Sequence, residues 1–338
     1  LIGYAIKRLL SGIPLILLLT VLEFSLLHLL PGDPVEVLLG SADKDMSQKE
    51  LSVFRHELGL DRSLPEQYLA WMASTLKGNL GRSYRDGRPV SELIAERMPA
   101  TFALIGTALV MALILGTFWG MSAVWLRATG SRFGCACDQI LSSGALILYC
   151  LPSFWVAFLA IAWIANSKSG TIPLLGLHPP GETGVCLAGV LLPASILALR
   201  RAAKLALMLR TTMLDELDKD YIRTALAKGL SRQAILLHQV GKNSLGPVIA
   251  FLGLSIPALI GGSVLVEVAC AWPGMGRLSV DATFGRNYPV LLGLTLIYGT
   301  LVIVANLIAD IMHRALDPRL SLDSGLSDAT VASGASRA

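Results

Sequence analysis

The chain has 338 residues, 54% of them hydrophobic and only 15% charged, a balance too apolar and too charge-poor for a water-soluble protein of this length. Its formal net charge of +4 is small, and the basic residues stand between apolar runs without interleaved aromatics, which gives nucleic-acid binding no support. Cys135, Cys137, Cys150, Cys186 and Cys270 lie scattered with no C-x-x-C pair, so a disulfide framework is not indicated.

Six stretches are apolar over a length that crosses a hydrocarbon core about 30 Å thick as a helix. They run approximately over Leu9 to Leu30, Thr101 to Leu126, Ile140 to Ala165, Leu187 to Leu209, Val248 to Cys270 and Val290 to Met312. The expected fold is therefore an all-α membrane protein of six transmembrane helices. Its expected parts are a first helix over 1–30, an extracytoplasmic segment over 31–99, a core over 100–313 and a disordered tail over 314–338, which is rich in Ser, Gly, Ala and Asp. Lys7 and Arg8 before the first run resemble the start of a secretory signal. Pro31-Gly-Asp-Pro34 after it lacks a cleavage pattern, so the run reads as a retained span.

The segment 31–99 carries its own structural signals. Ser47-Gln-Lys-Glu50 matches a capping box opening a short helix over 47–58, and Leu64-Pro65 opens a second helix through Met72. Gly78-Asn-Leu-Gly81 and Asp86-Gly87 supply turns. An ordered cap over the outer mouth is expected, with a plain solvated connection as the alternative.

Further on, Gly116-Thr-Phe-Trp-Gly120 fits the small-residue pattern that lets helices approach closely in a bilayer, a weak signal in a chain this rich in glycine. Cys135-Ala-Cys137 falls in a short polar connection; two thiolates fall short of a zinc site. Basic residues gather at Lys7 and Arg8, at Arg127 and Arg132, from Arg200 to Lys242, and at Arg314 and Arg319. The short alternate loops hold only Lys168, Arg277 and Arg286, so both termini are placed in the cytoplasm.

The connection over 210–246 is the most informative stretch. Leu214, Leu217, Tyr221 and Ala225 recur at three-and-four spacing, the mark of an amphipathic helix through Lys228. Gly229 follows as a breaker, and Ser231 is placed to cap a second helix from Arg232. Such a basic amphipathic unit can lie on anionic lipid. Asp215, Glu216, Asp218 and Asp220 oppose that and favour a protein groove.

Ionisable groups inside spans are costly and point to protein contacts or a water-filled path. Glu23 and His28 fall in the outer half of the first span and Glu267 near the outer end of the fifth. Asp310 falls near the inner end of the sixth, where pairing with the inner bases is expected. Glu267 is the best candidate for the outer vestibule; His28 is either a path residue or a satisfied helix-end histidine. Pro257 with Gly261 and Gly262 interrupts the fifth span, as a bend at a gate or as a site of tight packing.

Asp220-Tyr-Ile-Arg-Thr-Ala-Leu-Ala-Lys-Gly-Leu230 resembles the cytoplasmic loop of binding-protein-dependent ABC importer permeases, specifically the dipeptide, oligopeptide and nickel group with the type I importer fold. Leu58-Gly-Leu-Asp61, Asn79-Leu-Gly-Arg-Ser83, Arg97-Met-Pro-Ala-Thr101, Ala271-Trp-Pro-Gly-Met-Gly-Arg277, Asn287-Tyr-Pro-Val290 and Leu316-Asp-Pro-Arg319 add to the likeness, in the family's order along nearly the whole chain. The resemblance implies that Tyr221, Arg223, Thr224, Ala225, Lys228, Gly229 and Leu230 belong to a coupling helix seated in a cleft of an ATPase subunit. Ala225 and Gly229 match positions where helix packing excludes larger side chains. Arg223 replaces the general motif's leading Glu, as is usual in the peptide group, and Gly246-Pro247 stands where Leu-Pro is common. The implied partners are a second homologous permease, two cytoplasmic ATPase subunits, an extracytoplasmic binding protein and the lipid of a bacterial inner membrane, with no nucleic acid.

No G-x-x-x-x-G-K-[ST] loop occurs in the sequence, so ATP and Mg are expected on the partners and no cofactor or metal on this chain. An intramembrane enzyme would need a constellation such as H-E-x-x-H or G-x-S-x-G, and neither occurs. A self-contained channel or carrier stays open as an alternative. Short peptides are the preferred substrate because few soft ligands lie along the path, with nickel or a metal chelate as the alternative.

Overall fold

A computed structural model describes residues 2–29, 53, 55–56, 59–166 and 187–316. The expected helix over 47–58 lies for the most part outside the described residues; Cys186 and the tail beyond Leu316 lie wholly outside them. Helices α1 (Ile2–Leu29), α2 (Leu64–Leu76), α3 (Val90–Ala128), α4 (Arg132–Cys150), α5 (Ser153–Asn166), α6 (Leu187–Leu217) and α7 (Asp220–Ala227) come first. A helical run over 232–243 follows as α8, π-helical across Ile235–Val240, and then α9 (Leu245–Ala269), α10 (Met275–Phe284) and α11 (Tyr288–Leu316). Among the described residues there is no β-sheet, only an isolated bridge between Arg82 and Pro89.

Five of these helices are long and apolar enough to cross a membrane: Ala5–Leu29, Val90–Ala128, Arg132–Cys150, Phe251–Ala269 and Tyr288–Met312. The correspondence with six expected runs is therefore incomplete, for two physical reasons. The run from Ile140 to Ala165 is broken at Leu151, whose extended backbone ends α4, because Pro152 disfavours a helical residue before it and donates no hydrogen bond. Helix α6 is absent from the five because Arg200, Arg201 and Lys204 interrupt its apolar sequence.

Helices α3 and α6 form the closest pair, and the small-residue pattern explains why. A Cβ on Gly116 would lie 2.8 Å from the Ala202 carbonyl oxygen, and one on Gly120 would lie 2.9 Å from that of Ala206. The pattern is thus consumed within the chain, bringing two backbones together as small residues do in bilayers. Helix α4 is fastened to the same pair by charge. Asp138, 1% exposed, takes two bonds of 2.6 Å from the Arg210 guanidinium and one of 3.4 Å from Arg127. This bidentate fork is the strong form of such a pair. Cys135 and Cys137 sit in the first turns of α4, not in a loop as expected, because Ser131 caps the helix by accepting from Gly134 N at 3.0 Å.

Helix α1 lies against α11, joined at one end by Arg8 and Asp310 at 3.2 Å, the pairing expected for Asp310. At the other end the segment after α1 is ordered where described. Pro65 and Glu66 open α2, with Glu66 accepting from Ser63 N at 3.2 Å. Tyr68 bonds Thr20 of α1 at 3.0 Å, and Asn287 holds Ser83 and Tyr84 at 2.8 and 3.0 Å. Gly78, Gly81 and Gly87 take positive φ, as the expected turns require.

Candidate functional site: the exposed helix α7

The strongest candidate site is built at the end of the bundle opposite α2. The amphipathic helix expected to run unbroken from Leu214 through Lys228 is two helices, because the chain turns at Asp218-Lys219 and α7 starts afresh. The apolar spacing continues across the turn, which is why the break is invisible in the pattern. Ile222 and Ala225 are buried in a cluster with Val124, Leu209, Met213, Ile235, Leu236 and Val240. Leu214, Leu217 and Tyr221 pack against it.

Polar contacts fix the angle between α6 and α7. The Tyr221 hydroxyl donates to Glu216 at 2.6 Å and accepts from Asn243 at 3.0 Å, and Lys219 pairs with the same carboxylate. Lys219 foremost, and then the Tyr221 hydroxyl, hold the Glu216 carboxyl below the usual carboxylate range. Burial first, and the Glu216 bond second, push the Tyr221 phenol up.

The end of α7 closes as a Schellman motif, with Gly229 N bonding Leu226 O at 2.9 Å and Leu230 N bonding Ala225 O at 3.2 Å. Gly229 has φ +79°, and a Cβ built there meets nothing within 4 Å. Within this chain its smallness answers to backbone handedness, not to crowding. Ser231 then caps α8 as expected, accepting from Ala234 N at 3.2 Å, and Arg232 bonds the Ala128 carbonyl at the end of α3 at 2.9 Å.

The outcome is a short helix with one face sunk in the bundle and the other bare. Arg223, Thr224, Lys228 and Gly229 are exposed, and so are two large apolar side chains, Leu226 at 48% and Leu230 at 42%. Tyr221 and Ala225 face inward and support the surface. Leu226 is not among the residues the motif points to; its exposure next to buried Ala225 is visible only once the helix is oriented.

The residues expected along a path are dispersed. Pro257 and Gly261 line an apolar groove of about 300 Å³ with Leu15, Leu19 and Tyr298 between α1, α9 and α11. Helix α9 runs through Pro257, Gly261 and Gly262 without the expected interruption. His28 stands apart, in a cavity of about 310 Å³ under α2 with Trp71, Tyr84 and Tyr288, its Nδ1 2.8 Å from the Phe24 carbonyl oxygen.

Glu267 is 0% exposed. It accepts from the Thr101 hydroxyl at 2.9 Å and from the amides of Gly276 and Arg277 at 2.7 and 3.2 Å. Those amides are orphan donors in the first turn of α10, so the carboxylate ties that helix to α3 and α9. Trp272 adds a bond of 2.9 Å to the Ala100 carbonyl. Among the described residues no three His, Cys, Asp or Glu side chains are grouped to hold a metal.

Residues 112–322 match the family model for the binding-protein-dependent transport system inner membrane component, and residues 1–105 match the model of its N-terminal part. The chain belongs to this family. The permease is 36% identical over 324 residues to a Brucella suis protein described as a peptide permease, covering 94% of this chain and 99% of that one. It is also 36% identical to the oligopeptide transport system permease protein AppB of Bacillus subtilis, with 94% and 99% covered. A chain from the inward-facing MetNI methionine ABC transporter shares its fold at TM-score 0.54 and 17% identity, over 67% of this permease and 97% of that chain. The permease is thus a multi-pass inner membrane subunit of an ABC importer.

Proposed function

We propose that this permease forms half of a translocation path for short peptides, with α7 as the coupling helix through which ATPase subunits move it. The observation that carries the proposal is the surface formed by α7 and the turn after it, where Leu226 and, three residues past the helix end, Leu230 stand exposed while Ile222 and Ala225 are packed into the bundle. An exposed apolar patch on a rigid, polar-rimmed helix calls for a protein groove. The peptide relatives agree in substrate class. In this reading six spans cross the membrane, α6 among them, with the α7 end and both termini in the cytoplasm. A second homologous permease completes the path, two ATPase subunits hold ATP and Mg, and an extracytoplasmic binding protein delivers peptide to the end carrying α2.

The test is uptake of labelled tetra-alanine into proteoliposomes holding the assembled complex. Accumulation is expected only with internal ATP and external binding protein, and none with this chain alone. Uptake by the chain alone, or accumulation of labelled nickel in place of peptide, would sink the proposal.

A further inference from the structure

We propose that Arg200, Arg201 and Lys204 form a carboxylate site halfway across the membrane, which takes the free C-terminus of a peptide in transit. The inference rests on the peptide reading above and names the chemistry that recognises the peptide inside the membrane.

Depth comes first. By sequence the three cations fall in with the loop charges from Arg200 to Lys242, but α6 carries them well inside the bundle. Ala202 lies against Gly116, near the centre of the apolar part of α3. Arg200 also reaches the break between α4 and α5, donating from Nε to the Tyr149 carbonyl at 3.2 Å with its guanidinium 5.6 Å from the centre of the Tyr149 ring. That break stands about midway along the combined run of α4 and α5. The packing on Gly116 places Arg200 near the middle of a core about 30 Å thick, with Lys204 one turn nearer the α7 end, and the break lies near the middle of the apolar run from Ile140 to Ala165.

Charge comes second. Lys204 is turned about 40° from Arg200 around α6 and Arg201 about 100°, so the three share one side of the helix. Arg200 is exposed and the other two are half-buried. No carboxylate among the described residues pairs with any of them. The acid on α4, Asp138, lies farther along α6, held by Arg210 and Arg127. Cations with no carboxylate partner among the described residues cost a few kcal/mol each at this depth unless their face opens on a water-filled path.

Geometry comes third. With Nε spent on Tyr149, the two Nη groups of Arg200 make no hydrogen bond to a described residue. A guanidinium edge of that kind matches a carboxylate. Substrate sites at the midplane beside a broken helix are a recurring arrangement in membrane transporters.

The experiment compares wild type, Arg200→Gln/Arg201→Gln/Lys204→Gln and Arg200→Lys/Arg201→Lys in proteoliposomes of the whole assembly at saturating binding protein. Tetra-alanine and its C-terminal amide serve as probes; ATP hydrolysis and co-purification of the subunits are followed in parallel. The triple Gln variant is expected to lose about tenfold or more of tetra-alanine uptake, relative to its uptake of the amide, with ATP hydrolysis and assembly kept within about twofold. The Lys variant, which keeps the charge, is expected to retain most of the uptake. Full uptake by the triple variant, or equal losses for acid and amide, would overturn the proposal. Loss of the second permease subunit from the purified complex would also overturn it, by giving the cations to a carboxylate on that subunit. A wild-type assembly that carries no peptide at all would defeat the peptide reading itself before any variant is compared.

Discussion

Gly229 separates what the chain needs from what a partner needs. Its φ of +79° lies in the left-handed region, and a Cβ there meets nothing within 4 Å. Gly229→Ala therefore costs only the backbone term, about 1–2 kcal/mol, and Gly229→Asn less, because Asn tolerates that conformation. Neither change removes the Schellman bonds from Gly229 N to Leu226 O and from Leu230 N to Ala225 O. Gly229→Trp costs about the same as Ala within the isolated permease, since its side chain extends into open space. If α7 is seated in an ATPase cleft, only the Trp variant meets an obstacle. Binding-protein-stimulated ATP hydrolysis and peptide uptake are measured in the reconstituted assembly, with the thermal midpoint of the purified permease as the reference. The Trp variant is expected to lose uptake about tenfold or more beyond the Ala variant while their midpoints agree, since a lost 1.4 kcal/mol of docking is a factor of ten. Equal uptake by all three variants would refute the reasoning. So would a Trp variant that falls only because its own midpoint falls.

Glu267→Ala strands the Thr101 hydroxyl and the Gly276 and Arg277 amides in a buried site, so the thermal midpoint is expected to drop by the equivalent of about 3–5 kcal/mol, and by less for Glu267→Gln. A midpoint unchanged in Glu267→Ala would refute the capping role. Gly116→Leu is expected to force α3 and α6 apart, given a Cβ only 2.8 Å from the Ala202 carbonyl oxygen, and to abolish the folded permease in detergent, whereas Gly106→Leu, with open space around its Cβ, is expected to be tolerated. Glu216 has a carboxyl held below its ordinary value of 4.5. Its contribution is complete above that value and is lost as pH falls through the lower folded value. The midpoint difference between wild type and Glu216→Gln is accordingly expected at pH 7 and to vanish as the pH falls through that lower value, and a difference independent of pH would contradict the assigned tie.

The long apolar helices α1, α3, α9 and α11 were legible because an apolar run of membrane length has few other uses, and the turn after α7 was legible because Gly229 and Ser231 are local signals of a helix stop and start. What stayed hidden depends on distance in sequence. Thr101 and Glu267 are 166 positions apart, and no local pattern announces that Glu267 is sealed in a junction instead of facing a vestibule. The break at Pro152 was masked by apolar residues on both sides. By sequence the three cations of α6 are indistinguishable from the loop charges, because composition carries no depth. Once placed, they sit on the same helix that meets α7. Close packing at Gly116 and Gly120, the Arg210 fork on Asp138 and the Tyr221 bond to Glu216 make α3, α4, α6 and α7 a single mechanical body. Arg200 lies 17 residues from Leu217, roughly 25 Å along a helix. A rocking of about 10° about the α7 end moves the guanidinium by about 4 Å, more than the length of a charge-assisted hydrogen bond. If α7 is the docking helix and the three cations hold a carboxylate, a motion of that size at α7 is enough to break the carboxylate's hydrogen bonds, and one rigid rod would link the energy input to the release of substrate.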